Sequence, residues 1–300
     1  MEHVLCLIGN PAGASLGETV VQQAHAALAA AGAETASTAD WLDPGIACDL
    51  GFDGLAPATA VESVRQALAD APVDIVALPT RGRRKKLLVA DMDSTIITVE
   101  CIDELADFVG LKREVAAITE RAMRGEIDFK AALRERAAML AGMDEAVLHR
   151  VFEERVRLTP GARRLVMTMR ADGAYTVLVS GGFSFFTSRV HQAAGFHRDH
   201  ANILEVAGGK LTGRVVEPIL DAGVKLATLR ESAARRNLTL HETLAVGDGA
   251  NDLPMIEAAG LGVAYRAKPK VAAGAAARIE HGDLTALLYL QGYRRRDFAG

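Results

Sequence analysis

Short apolar runs and amphipathic stretches alternate along residues 1 to about 80. The run "HVLCLIG" reads as a strand, and "LGETVVQQAHAALAAAG" as an Ala-rich helix that stops at Gly32, the residue type that most readily ends one. Weaker strand patterns follow in "ETASTADWL" and "ACDLGFDG", then a helix in "ATAVESVRQALADA" and a strand in "VDIVALP". The order β-α-β-β-α-β is that of a split βαβ unit, so this part is expected to be a small α+β module of ferredoxin-like form. It holds no cluster of polar side chains that suggests catalysis.

From residue 87 the pattern changes. "KLLVADMD" (86–93), "YTVLVSGG" (175–182), "TLAVGDG" (243–249) and "GLGVAY" (260–265) are apolar runs of strand length, set between helical stretches. This alternation predicts an α/β domain over 86–300 with a parallel sheet flanked by helices. The first two runs are separated by four helical patterns: "ECIDELADFVG", "KREVAAITERAMRG", "DFKAALRERAAMLAG" and "DEAVLHRVFEERV". An insertion of that size exceeds an ordinary βα connection. It predicts a helical cap, about 100–157, over whatever the strand ends carry. "NILEVAGGKLTGRVVEP" reads as a β-hairpin turning at Gly208 and Gly209.

Composition adds limits. Half of the 300 residues are hydrophobic and 24% are charged, ample for a core and for one large domain or two ordinary ones. A net charge of -4 gives no reason to expect nucleic acid or an acidic membrane as partner. The basic runs "RGRRKK" (81–86) and "YRRRDF" (293–298) read as a solvated linker and a solvated tail. Cys6, Cys48 and Cys101 form no C-x-x-C pair, which argues against a disulfide framework or a zinc site and fits a reducing cytoplasm. The first residues lack the basic and apolar regions of a signal peptide, and no segment approaches 18 uninterrupted apolar residues. A soluble cytoplasmic protein is expected.

In open α/β sheets, ligands bind at the carboxyl ends of the strands. Three of the strand runs end in "DMDST", "VSGGF" and "GDGANDLP", and a later helix brings Lys225. Gathered at one edge, Asp91, Asp93, Asp248 and Asp252 would bring as many as four carboxylates together, a repulsion that a cation or protonation must relieve. Mg2+ suits such an oxygen-rich site and commonly shares it with a substrate phosphate. A carboxylate beside it can attack phosphorus to give an aspartyl phosphate, with the metal and a lysine offsetting charge. Ser180, Gly181 and Gly182 offer a hydroxyl and close backbone N–H groups at a helix start, a cradle for phosphate. Each part has a plainer explanation alone. D-x-D is common, "VSGGF" fits a simple turn, "GDGAND" fits a turn with an N-cap, and Lys225 fits an exposed helix face. All four in this order, each at an element boundary, fit a phosphoryl-transfer site better than four coincidences.

"DMDST", "VSGGF", Lys225 and "GDGANDLPM" resemble the four motifs of the haloacid dehalogenase superfamily. Within it, "DMDSTIITVECIDELADFVG", "ITERAMRGEIDFKAALRERAAMLAG" and "VSGGFSFFT" are similar to the phosphoserine phosphatases, over about 87–290. The resemblance implies a Rossmann-like core and Mg2+-dependent hydrolysis of O-phosphoserine, the last step of serine biosynthesis. By the same resemblance Asp91 is the nucleophile and Asp93 the acid and base. Asp91, the Asp93 carbonyl and Asp248 hold Mg2+, while Ser180, Gly181 and Lys225 hold the phosphoryl group. Asn251 binds phosphate nearby or orients the site together with Asp252. Glu100 takes the substrate's ammonium and Arg136 its carboxylate, whereas Arg134, two residues away, faces elsewhere. Met123 and Phe129 match apolar residues that close the pocket, although their spacing also fits ordinary core.

Residues 1–80 match less closely. Many relatives carry a regulatory ACT-type module there, and "GNPAGASLGETVV" reads as a ligand loop entering a helix, so an amino-acid effector is one expectation. A module that pairs two copies into a homodimer, or a purely structural one, are the others. For the enzyme itself the alternatives are a phosphatase or phosphotransferase for another phospho-amino acid, such as phosphohomoserine. From a different class, an inactive relative working as a sensor would be expected to have lost one of Asp91, Asp93, Lys225 or Asp248.

Overall fold

In this computed structural model the described residues are 1–13, 16–69, 71–123 and 126–300, without the side chains of residues 122, 123 and 222. The chain opens with β1 (His3–Ile8), α1 (Glu18–Ala30), β2 (Glu34–Thr35), β3 (Asp40–Asp43), β4 (Ala47–Asp53), α2 (Pro57–Leu68) and β5 (Asp74–Pro79). Its strands form an antiparallel sheet in the order β2-β4-β1-β5, with β3 also on β4. Because side chains alternate along a strand, β1 divides its apolar residues between two cores. Leu5 and Leu7 pack with Leu28 of α1 and Val64 of α2. Val4, Cys6 and Ile8 join the core of the larger domain instead.

That domain runs through β6 (Leu87–Asp91), a tight turn at Met92–Ile96, and the helices α3 (Cys101–Phe108), α4 (Lys112–Met123), α5 (Phe129–Ala138), α6 (Ala146–Arg155) and α7 (Ala162–Ala171). It continues with β7 (Tyr175–Phe183), α8 (Ser184–Ala194), β8 (Arg198–Asn202), β9 (Leu204–Ala207), β10 (Lys210–Val215) and α9 (Ala222–Ala234). Last come β11 (Thr243–Gly247), α10 (Leu253–Ala258), β12 (Leu261–Tyr265), α11 (Pro269–Gly274), β13 (Ala277–Ile279) and α12 (Ala286–Leu290). The sheet is parallel, in the order β13-β12-β11-β6-β7-β8. The two outermost strands were not expected from the pattern: "RDHAN" is polar, and β13 has three residues. Both are edge strands, where one-sided pairing makes a long apolar run unnecessary.

Register sets the site. Asp91 pairs with Val179 one residue before Ser180, and Ala90 pairs with Val246, so β6 and β11 end level with the start of the Ser180-Gly181-Gly182 stretch of β7. The cap, α3 to α6, stands over these ends, and the β9–β10 hairpin belongs to it. Gly142 donates its N–H to the Leu211 carbonyl (2.9 Å), Leu211 to Met143 (2.8 Å) and Glu145 to Gly209 (2.9 Å).

The two basic runs correct the expectation of solvated segments in part: Arg81, Arg84, Lys86, Arg295 and Arg296 are exposed, but the others are packed. Arg83 is half-buried: it donates to Asp49 at 2.5 Å, to Cys6 Sγ, and to the carbonyls of Tyr289 and Leu290, each at 3.0 Å. Lys85 is buried, donating to the Gly82 and His241 carbonyls at 2.8 Å. In the C-terminal run Arg294 reaches Asp40 and the Trp41 carbonyl, and the Tyr293 ring is buried under Arg84. Buried cations are tolerated here because acceptors meet their N–H groups, and Asp49 offsets the charge of Arg83. No described helix is long and apolar enough to cross a membrane, and all three cysteines are free and buried.

Candidate active site

Asp91 is the last residue of β6, and Lys225 stands in the first turn of α9, whose N-cap Asp221 accepts the Gly223 N–H at 3.0 Å. The Lys225 ammonium donates to Asp91 Oδ1 at 2.6 Å and to Asp252 Oδ1 at 2.5 Å. All three side chains are buried, with Lys225 only 3% exposed, which rules out the plain reading of a surface lysine. The other oxygen of Asp252 accepts the Gly249 N–H at 3.0 Å. This closure needs glycine at 247, where a Cβ would lie 2.4 Å from Asp252 Cγ. At Gly249 a Cβ would lie 2.4 Å from Asn251 Oδ1, so Asn251 also folds back on the loop.

Asp91, Asp248 and Asp252 each offer an oxygen within 4.8 Å of the others. One ammonium faces three carboxylates. Burial and then the Asp252 charge hold both Asp91 and Asp248 above the usual carboxylate range, against the pull of Lys225. For Lys225, burial works against the charge, but Asp91 and Asp252 outweigh it and raise its pKa. The cluster therefore carries negative charge in excess, the condition that draws a cation. With Asp252 engaged at both oxygens, Asp91 and Asp248 are the carboxylates open to a metal. Hard oxygen donors of this kind suit Mg2+.

The expected fourth carboxylate turns away. Asp93 Oδ1 accepts the N–H of Cys101, the first residue of α3, at 2.9 Å, and Oδ2 accepts the Ser180 hydroxyl at 2.9 Å. A helix-start N–H and a hydroxyl solvate a carboxylate better than three like charges would. Ser180 Oγ in turn accepts the Gly182 N–H at 2.8 Å. A Cβ at Gly182 would come within 3.1 Å of both Asp93 Oδ2 and Ser180 Oγ, so glycine permits the approach. Ser94 has φ +55°, a left-handed conformation uncommon for serine, and it turns the chain so that its hydroxyl reaches Glu100 at 2.6 Å.

On the cap side, burial and then the charge of Asp93 push the Glu100 carboxyl up to about 7. Arg136, in the last turn of α5, is half-buried and feels Asp103, Glu100 and Asp93. Its Nε donates to the Ala132 carbonyl (3.3 Å), and it forms no ion pair among the described residues. Arg134 instead is exposed and paired with Glu217 at 2.6 Å. Phe129, at the start of α5, lies over Gly181, since a Cβ there would be 3.1 Å from its Cζ. The Met123 side chain lies outside the described residues.

Sequence reasoning missed Asn202 and Thr95. Asn202 is a buried amide in the polar "RDHAN" stretch, where nothing in the pattern marks it. Thr95 is the last residue of the first motif, and its hydroxyl stands 3.4 Å from Asp248 Oδ1.

Residues 88–257 match the family model of the haloacid dehalogenase-like hydrolases. The chain belongs to this family. Among its relatives is a phosphoserine phosphatase of Albidiferax ferrireducens, 48% identical over 219 residues, which cover 71% of this chain and 92% of that one. A phosphoserine phosphatase of Streptomyces coelicolor is 40% identical over 293 residues, 94% of this chain and 70% of the relative. The crystal structure of a probable phosphoserine phosphatase from Vibrio cholerae, in unliganded form, superposes with a TM-score of 0.78 at 33% identity. It covers 99% of this chain and 88% of that one. The hydrolase core, the cap and the N-terminal module thus all recur in one solved relative.

Proposed function

We propose that this hydrolase is a Mg2+-dependent phosphatase that releases serine and phosphate from O-phosphoserine in the cytoplasm, as the last step of serine biosynthesis. The observation that carries the substrate is the pair on the cap. Arg136 is half-buried without an ion-pair partner among the described residues, and Glu100 lies within its field near Asp93. A phosphorylated amino acid presents one carboxylate and one ammonium beyond its phosphate, and this pair matches both. The named relatives point the same way.

In this reading Lys225 grips one oxygen of Asp91 and leaves the other to attack phosphorus. The new Asp91 O–P bond forms as the bond from phosphorus to the serine oxygen breaks, and Asp93 gives that oxygen its proton. Asp93 then takes a proton from water, which attacks the aspartyl phosphate and frees Asp91. Ser180, the Gly181 N–H and Lys225 hold the phosphoryl oxygens, where fixed donors act on developing charge. Asn251 and Asp252 keep the loop and the lysine in place. Mg2+, held by Asp91, Asp248 and the Asp93 carbonyl, would supply positive charge against the phosphoryl oxygens. Phe129 would shut out water from above.

The test is phosphate release from phosphoserine, phosphothreonine, phosphohomoserine and phosphoethanolamine, with Mg2+ and with EDTA. Phosphoserine should lead the panel and EDTA should stop turnover. A flat panel, or full activity in EDTA, would reject the assignment. Residues 1–80 are assigned by the same reading as an ACT-like regulatory module. A serine titration that changes the rate in the full chain, and leaves it unchanged after the module is removed, is the expected outcome.

A further inference from the structure

We infer that Asn202 is a positioning residue for phosphoryl transfer, one side chain that aims the phosphate loop and fixes where the Lys225 helix begins; this rests on the phosphatase reading above. Asn202 closes β8 and is buried. Its Nδ2 donates to the Gly181 carbonyl at 2.8 Å and to the Leu220 carbonyl at 3.2 Å, and its Oδ1 accepts the Leu220 N–H at 2.7 Å. The amide is thus used in both directions, which no other side chain of its size can reproduce.

The Gly181 carbonyl and the Gly182 N–H belong to one trans peptide and point in opposite directions. Holding the carbonyl toward Asn202 therefore aims the N–H the other way, where it meets Ser180 Oγ at 2.8 Å, beside Asp93. Gly182 has no side chain to steady that peptide, and glycine is free to rotate it. The second anchor, Leu220, directly precedes Asp221, the N-cap of α9, four residues before Lys225. The Ser180 hydroxyl, whose oxygen accepts the Gly182 N–H, and the Lys225 ammonium are the two groups assigned to one phosphoryl unit, and both are therefore referenced to one buried amide.

The test uses the full chain and two variants, Asn202→Asp, which keeps the size and the acceptor but loses the donor, and Asn202→Ser. In either one that folds, kcat should fall roughly ten- to a hundredfold, somewhat below the usual loss of a whole oxyanion-binding donor, with KM changing about threefold or less. Vanadate, which adopts the geometry of the transferring group, should lose affinity by the same factor as kcat/KM, and inorganic phosphate by much less. General loosening would weaken both anions alike and would overturn the inference, as would a folded variant with wild-type kcat. Should neither variant fold, the unaltered protein decides: the Asn202 side-chain amide resonances should shift when vanadate binds, and unmoved resonances overturn the role. A wild type inactive on phosphoserine would instead reject the functional reading.

Discussion

Asp91, Lys225 and Asp252 form a single electrostatic unit, so changes there should act on chemistry before they act on fold. Asp91→Asn is nearly isosteric and removes the proposed nucleophile. Turnover should vanish while phosphate still binds, and acid-quenched wild type, unlike the variant, should carry phosphate on Asp91. Arg136 forms no ion pair among the described residues, so its loss should be read in the substrate. Arg136→Ala should weaken phosphoserine use by about 1.5–3 kcal/mol, the range for hydrogen bonds to charged groups. At about 1.4 kcal/mol per decade, that is roughly ten- to a hundredfold in kcat/KM. Phosphoethanolamine, without a carboxylate, should lose little, and equal losses would place Arg136 in support of the cap instead. Glu100 gives a pH dependence. Although the residue opens onto solvent, desolvation of its carboxyl and then the charge of Asp93 push it from 4.5 up to about 7. Below that pH it is protonated and cannot pair with an ammonium. The kcat/KM for phosphoserine should therefore rise with pH through about 7 and level off, and Glu100→Gln should remove that limb. The raised value also means that this group's contribution to stability falls as pH climbs from its unfolded pKa through about 7.

Among the elements, the β9–β10 hairpin has a role its sequence does not announce. It braces the cap, and the contact is tight at Gly213, where φ is +77° and a Cβ would lie 2.8 Å from Ala141 Cβ. Gly213→Val should therefore strain the backbone and overpack the seam with α5. A loss of about 1–3 kcal/mol is expected, read from urea unfolding. An unchanged midpoint would mean that the hairpin rides loosely on the cap. The element boundaries also explain why the motifs work. β6 and β11 stop level with Val179 of β7 because their registers are locked pair by pair. Each polar motif then leaves its strand into the same crevice, and α5 carries Phe129 and Arg136 across its mouth.

Across the whole molecule, the N-terminal module is fastened to the hydrolase core. Asp74 of β5 accepts the N–H groups of Glu280, His281 and Gly282 at 2.8–3.1 Å, and the Tyr289 hydroxyl donates to Asp43 at 2.6 Å. Arg83 lies between the parts, paired with the buried Asp49. Removing its guanidinium strands that carboxylate, so Arg83→Ala should cost about 3–5 kcal/mol in a denaturant titration. Deleting residues 1–80 removes no proposed catalytic group but uncovers Tyr289 and Leu290. The truncated chain should hydrolyse phosphoserine yet unfold at a lower temperature than the full chain. A folded but inactive truncation would show that the module completes the site.

Much of this was legible beforehand because its causes are local. Strand and helix periods, the Gly32 stop and the polar motifs at the ends of β6, β7 and β11 depend on residues next to each other in the chain. What stayed hidden depended on distant partners. A run such as "RGRRKK" looks the same whether water or Asp49 and the Tyr289 carbonyl lie opposite, and only packing decided that Lys85 is buried and Arg83 half-buried. Asp93 sits two residues from Asp91 in sequence, but its carboxylate was directed by Ser180 and the N-terminus of α3, which folding brings from elsewhere. Asn202 is one polar residue in a polar edge strand until tertiary structure sets Gly181 and Leu220 around it. The chain by itself determined which chemistry was available; three-dimensional neighbours determined where each charge points, because burial and hydrogen-bond partners are properties of the packed molecule.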